Sequence, residues 1–114
     1  MEIIIRDRHK LLSTEATLRA QSKASSTFAK FGDVVGSVTV SVQDVNGPKG
    51  GVDKECRIQV DLKRLKSIVV SVKEESLSKA IPFALNRAGR AVRRVLDRRQ
   101  LLESRSFARF GMNS

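Results

Sequence analysis

Arg90, Arg94 and Arg98 follow one another at intervals of four, and Arg87 precedes the first of them by three. On an α-helix those steps return to nearly the same face, so four guanidinium groups line one edge. A line of this kind suits phosphate, because the planar guanidinium fork donates two parallel hydrogen bonds to paired oxygens. Lys79, Arg93 and Arg99 add charge to the same stretch and also avoid its apolar positions. Asp97 is the one acid between residues 76 and 102. A merely solvated helix face usually mixes both signs, so this stretch reads as a face for an anion. Earlier in the chain Arg19, Lys23 and Lys30 stand at steps of four and seven and fall together on one side of a helix.

Other side chains that could do chemistry are few. His9 stands alone beside a strand end, with no cysteine near it in sequence, and reads as a surface residue. Cys56 is in phase with the apolar positions of a strand and reads as a buried structural thiol rather than a nucleophile. A zinc site needs about four ligands, and one histidine and one cysteine do not supply them. Glu74 and Glu75 are explained by a helix N-terminus, where acids are favoured. The run Asn46-Gly47-Pro48-Lys49-Gly50-Gly51 could cradle a phosphate with Lys49 at its tip, yet it lacks the Gly-Lys-Ser/Thr of a P-loop. It reads first as a long hairpin loop. No nucleophile–base pair can be named, so no enzyme, cofactor or small-molecule substrate is expected.

The whole chain agrees with an anionic partner. Its 114 residues carry a net charge of +10, with a pI near 10.7. Residues 76–114 hold nine Lys or Arg against Asp97 and Glu103, so most of the excess lies in the last third. A positive charge can serve solubility alone, but such asymmetry points to a binding face or tail. No apolar run approaches the 18 or so residues that a membrane span needs, and the start MEIIIRDRHK lacks the long apolar core of a signal peptide. A single cysteine and no leader imply a reducing, cytoplasmic setting.

The elements that must hold these residues follow from periodicity. Residues 2–6, EIIIR, are β-branched and read as a strand. Ser13 is a plausible N-cap for a helix over about 14–31, with Ala16, Ala20, Ala24, Phe28 and Phe31 as its buried stripe and Gly32-Asp33 at its end. Residues 34–44, 54–63 and 67–73 alternate apolar and polar, with Val38, Val40, Val42, then Cys56, Ile58, Val60, Leu62, then Ile68, Val70, Val72 sharing one face. Residues 64–66, RLK, are a short connection. Leu77, Ala80, Ile81, Ala84, Leu85, Ala88, Val92 and Val95 keep a helical period over five turns. Pro82 falls inside it and predicts a kink or a late start. Residues 100–114 lack a clear period and read as a tail.

The predicted fold is therefore α+β, in the order β-α-β-β-β-α: a four-stranded sheet with two helices packed on one face. The domain division is 1–97 as an RNA-binding unit and 98–114 as a basic C-terminal tail that could be flexible. Sheets that read single strands stack bases on strand aromatics. This chain has no Tyr or Trp, and its five phenylalanines lie on helices or in the tail, so contact through backbone and shape is expected. The rival readings are a regulatory domain that binds an acidic protein and a general structured-RNA-binding module.

The order of elements, Phe31-Gly32-Asp33 followed by SVTVSVQDVNGPKGGVDKECRIQVDL, and the closing VSVKEESLSKAIPFALNRAGRAVRRVL resemble the ribosome hibernation-promoting factor family. That family is also described as ribosome-associated inhibitor A or sigma-54 modulation proteins. The resemblance covers residues 1–97 and implies a fold like that of a double-stranded-RNA-binding domain, in a short form that binds the small ribosomal subunit, in the channel of messenger and transfer RNA, and blocks initiation on idle ribosomes. It implies that Lys23 and Lys30 on the first helix meet ribosomal RNA, together with Lys79, Arg87, Arg90 and Arg94 on the second. Arg19, Arg93 and Arg98 join them from the charge pattern alone. Long members of the family add a domain that pairs ribosomes. The 114 residues include none, so a monomer that does not pair ribosomes by itself is expected.

Overall fold

The computed structural model describes residues 1–45 and 53–112, with side chains described up to residue 100. Its elements are β1 (Glu2–Arg6), α1 (Thr14–Phe28), a 3-10 turn (Ala29–Val34), β2 (Val35–Asp44), β3 (Lys54–Leu62), β4 (Ile68–Glu74) and α2 (Leu77–Met112). The strands form one sheet in the order β1-β2-β3-β4, with β1 parallel to β2 and the other pairs antiparallel. This is the expected α+β fold with its β-α-β-β-β-α order.

The alternation of the strands becomes a two-faced sheet because successive side chains point to opposite sides. In register, Val38 faces Val60, Val40 faces Ile58 and Val42 faces Cys56, and Cys56 and Ile58 continue to Val72 and Val70. Ala20, Ala24 and Phe28 of α1 and Ala80, Ala84, Leu85, Ala88 and Val92 of α2 close over them in a single core. Full burial of each such Val, Leu, Ile or Phe side chain contributes roughly 1.5–3 kcal/mol. The opposite sheet face carries Ser37, Thr39, Ser41, Arg57, Gln59 and Asp61 and stays open.

Local signals set the helix ends. Asp7 turns the chain after β1, its carboxylate accepting from the Leu11 and Leu12 amides at 2.8 and 2.7 Å. Ser13 caps α1, its hydroxyl accepting from Ala16 N at 3.0 Å. Helix α1 stops at Phe28, earlier than the predicted residue 31, and gives way to the 3-10 turn. Gly32 in that turn has φ 62° and ψ −140°, a conformation closed to side-chain-bearing residues, and it redirects the chain into β2. Helix α2 does not start late: Ser76 O accepts from Lys79 N and Ala80 N, and Pro82 sits inside the first two turns. At its far end α2 continues through Met112, beyond Arg99 where the periodicity fades. Residues 100–110 contain neither proline nor glycine, so backbone propensity carries the helix on without an apolar stripe. The run around Lys49 falls on residues 46–52, outside the described residues.

The two helices run in the same direction. Ala16 and Ala20 of α1 lie beside Leu77 and Ile81 of α2, and further along Thr27 lies beside Gly89. The β3–β4 connection meets the far end of this pair, where Lys63 N donates to Val34 O at 2.8 Å.

Candidate nucleic-acid interface

All nine basic residues singled out from the sequence are exposed: Arg19, Lys23 and Lys30 from the first helical segment, and Lys79, Arg87, Arg90, Arg93, Arg94 and Arg98 from α2. Tertiary packing divides them into groups that the pattern treats as one.

The first group forms at the α1–α2 seam. Gly89 lets the helices approach closely, since a Cβ there would stand 3.1 Å from Thr27 Cγ2. Beside this contact Lys30, Arg90 and Arg93 line an open groove of about 270 Å3 with Thr27, Asn86 and Gly89. Lys30 and Arg93 converge on one ring. Lys30 Nζ lies 5.4 Å and Arg93 Cζ 5.6 Å from the centroid of Phe31. Phe31 is buried and tilted against Phe28 at 6.2 Å, so the core anchors the platform that holds both cations. The negative charge on the ring faces attracts both cations and holds them to one side chain despite their repulsion.

Arg19 and Lys23 lie higher on the seam, on the rim of a larger groove of about 390 Å3 whose floor is Ala16, Ala20, Leu77 and Ile81. Arg19 pairs with Glu15 at 3.4 Å, with both side chains mostly in solvent, a contact worth little. The remaining cations of α2 turn away from α1. Arg98 follows Gly89 by nine residues, two and a half turns, and so lies on the opposite side of the helix. Arg87 and Arg94 lie between that edge and the outermost line, where Lys79 stands. Apart from Arg19, none of the nine forms an ion pair among the described residues. The arginine steps of four are therefore a real line on the helix, but its members do not all face the seam.

Two features escaped the sequence reading. The apolar spacing puts Phe31 in the buried stripe, and its second role needs Arg93 brought from another element. The adjacent pair Lys30-Phe31 was the one local sign of it. The connection read as a plain link carries exposed Lys63, Arg64 and Lys66. It reaches the end of the seam through the Lys63–Val34 bond.

Elsewhere the ionisable groups have structural partners. Burial pushes the Cys56 thiol up to about 12, so the nucleophilic thiolate is suppressed, in accord with a structural thiol. On the open sheet face Asp61 accepts from Ser67, Ser37 and Gln59 at 2.6, 2.9 and 3.1 Å. These bonds, that of Ser67 foremost, hold its carboxyl below the usual range. At the base of the β2–β3 hairpin Lys54 bridges Asp44 and buried Asp53 at 3.0 and 3.2 Å. Those two carboxylates, Asp44 first, raise the Lys54 pKa. Among the described residues no three His, Cys, Asp or Glu side chains gather in a metal-binding group. No helix of these residues is long and apolar enough to cross a membrane.

Fold and seam together define a small α+β domain that presents two parallel helices, with Lys30, Arg90 and Arg93 at their junction forming no ion pair among the described residues. No family model matches the chain, and no curated protein matches it by sequence. Among solved structures it is similar to the N-terminal domain of Protein Y from Thermus thermophilus, with a TM-score of 0.61. The match covers 82% of this chain and 94% of that one at 20% identity, which establishes a shared fold.

Proposed function

We propose that this chain is a ribosome-associated hibernation factor that binds the small ribosomal subunit through ribosomal RNA and inhibits translation. The observation that carries the reading is the seam groove of Lys30, Arg90 and Arg93 on a domain that shares the fold of Protein Y. Protein Y belongs to the hibernation-promoting factor family, the same family that the sequence resembles. Cations without ion partners among the described residues, held on helices, lose little on meeting phosphate and gain from the release of condensed counterions. On this reading the protein acts without catalysis, as a monomer in the cytoplasm. Residues 1–97 are the RNA-binding unit, and the segment 98–114 is a basic C-terminal extension.

Sucrose-gradient fractionation of lysates from starved cells tests this. The chain is expected in the fractions of small subunits or intact ribosomes, and to leave them at high salt. Migration solely in ribosome-free fractions would sink the proposal.

A further inference from the structure

Phe83 is the one large aromatic at the surface among the described side chains, 56% exposed. Its neighbours on α2 define its setting. Lys79 stands four residues before it, Arg87 four residues after it and Arg90 seven after it, and all three are exposed. Residues four apart on a helix have Cβ atoms roughly 5–6 Å from one another, so the ring lies within a fence of cations. None of these cations forms an ion pair among the described residues. The cation–π contacts of the described residues all fall on Phe31, so this ring face is open. Ala80 and Ala84, on the buried side of the same turns, are wholly inaccessible and tie this part of α2 to the sheet. The ring is therefore presented on a rigid support rather than on a loop.

A flat apolar surface within a cationic fence matches a ligand that joins a flat π-face to an anion in one unit. A nucleotide is such a unit: its base stacks on an aromatic face while its phosphates meet Lys and Arg. We infer that Phe83 is a base-stacking residue that receives an unpaired nucleobase of the bound RNA, with Lys79, Arg87 and Arg90 on the flanking phosphates. This rests on the RNA-binding reading above and deepens it. The absence of strand aromatics predicted contact through backbone and shape alone. The structure adds a stacking surface on the helix, which directs the α2 face toward a bulge, loop or flipped base rather than toward continuous duplex.

The test compares a fully paired RNA duplex with the same duplex carrying one bulged uridine, by fluorescence anisotropy with the full chain. The intact protein is expected to prefer the bulged RNA by roughly tenfold, inside the range of single base–aromatic stacks. Phe83→Leu should erase that preference and leave duplex affinity within about twofold, since stacking rather than charge is removed. Phe83→Trp should keep it. The chain has no other tryptophan, so quenching of this one indole by the bulged RNA reports stacking directly. Because the side chain is exposed, neither variant should alter thermal unfolding appreciably. A preference retained by Phe83→Leu, or an indole that the bulged RNA leaves unquenched, overturns the inference while the RNA-binding reading stands. A wild-type dimer that Phe83→Leu converts to monomer overturns it in favour of a protein contact. Binding to neither RNA removes the broader reading as well.

Discussion

Phe31 ties the stability of the domain to its binding face, and this permits a two-part measurement on one set of variants. The seam triple Lys30→Gln, Arg90→Gln, Arg93→Gln removes the three charges of the lower groove, two of which rest on the Phe31 ring at 5.4 and 5.6 Å. Cation–π pairs at exposed positions contribute about 0.5–1 kcal/mol each, so the variant should lose about 1–2 kcal/mol of stability. In a domain of about 100 residues each kcal/mol shifts Tm by roughly 4–8 °C. The flank triple Arg87→Gln, Arg94→Gln, Arg98→Gln carries the same change in net charge but forms no ring contact or ion pair among the described residues, so its Tm should stay near wild type. In binding, each phosphate contact adds about one to the slope of log affinity against log salt. Anisotropy titrations with a structured RNA over a range of KCl should therefore show the seam triple flatter by about 3. Scanning calorimetry supplies the stability half. An unchanged Tm for the seam triple would refute the Phe31 platform. A slope flattened by the flank triple and untouched by the seam triple would place the RNA on the other edge of α2.

Two further outcomes follow from the packing. Gly89→Ala gains about 0.5–1 kcal/mol of helix propensity but puts its Cβ 3.1 Å from Thr27 Cγ2. That gain should be hidden in the single variant and emerge on a Thr27→Ala background, and an additive double-mutant cycle in urea would show that the helices do not touch there. Cys56, with its pKa raised to about 12 by burial, binds its proton more tightly when folded than when unfolded. Its contribution to stability is therefore whole below about pH 9 and is lost as pH rises toward 12. Alkylation by iodoacetamide at pH 8 should track global unfolding across a urea series, and rapid labelling of the native chain would contradict its burial.

Much of the fold was legible because its signals are local. Strand alternation, the Ser13 cap and the five-turn stripe of α2 each depend on neighbours within a few residues, and each stands where the pattern puts it. The ends of the helices were less legible for two different reasons. Helix α1 ends at a backbone conformation set by Gly32 after a 3-10 turn, which apolar spacing through Phe31 does not register. Helix α2 runs past Arg99 on backbone propensity, where the apolar period in the sequence fades and no longer reveals it.

The sequence by itself determined that the chain is an α+β domain with excess positive charge on two helices. Charge and period are properties of residue order, so they survive without coordinates. Which cations act together was decided only by the tertiary structure. Parallel packing over Gly89 brings Lys30 to Arg90 and Arg93, the Phe31 ring joins two of them, and Arg87, Arg94 and Arg98 are left toward the far edge of α2. The exposure of Phe83 belongs to the same category. A phenylalanine in a helix is buried or open according to what packs against that turn, and residue order alone does not say what does.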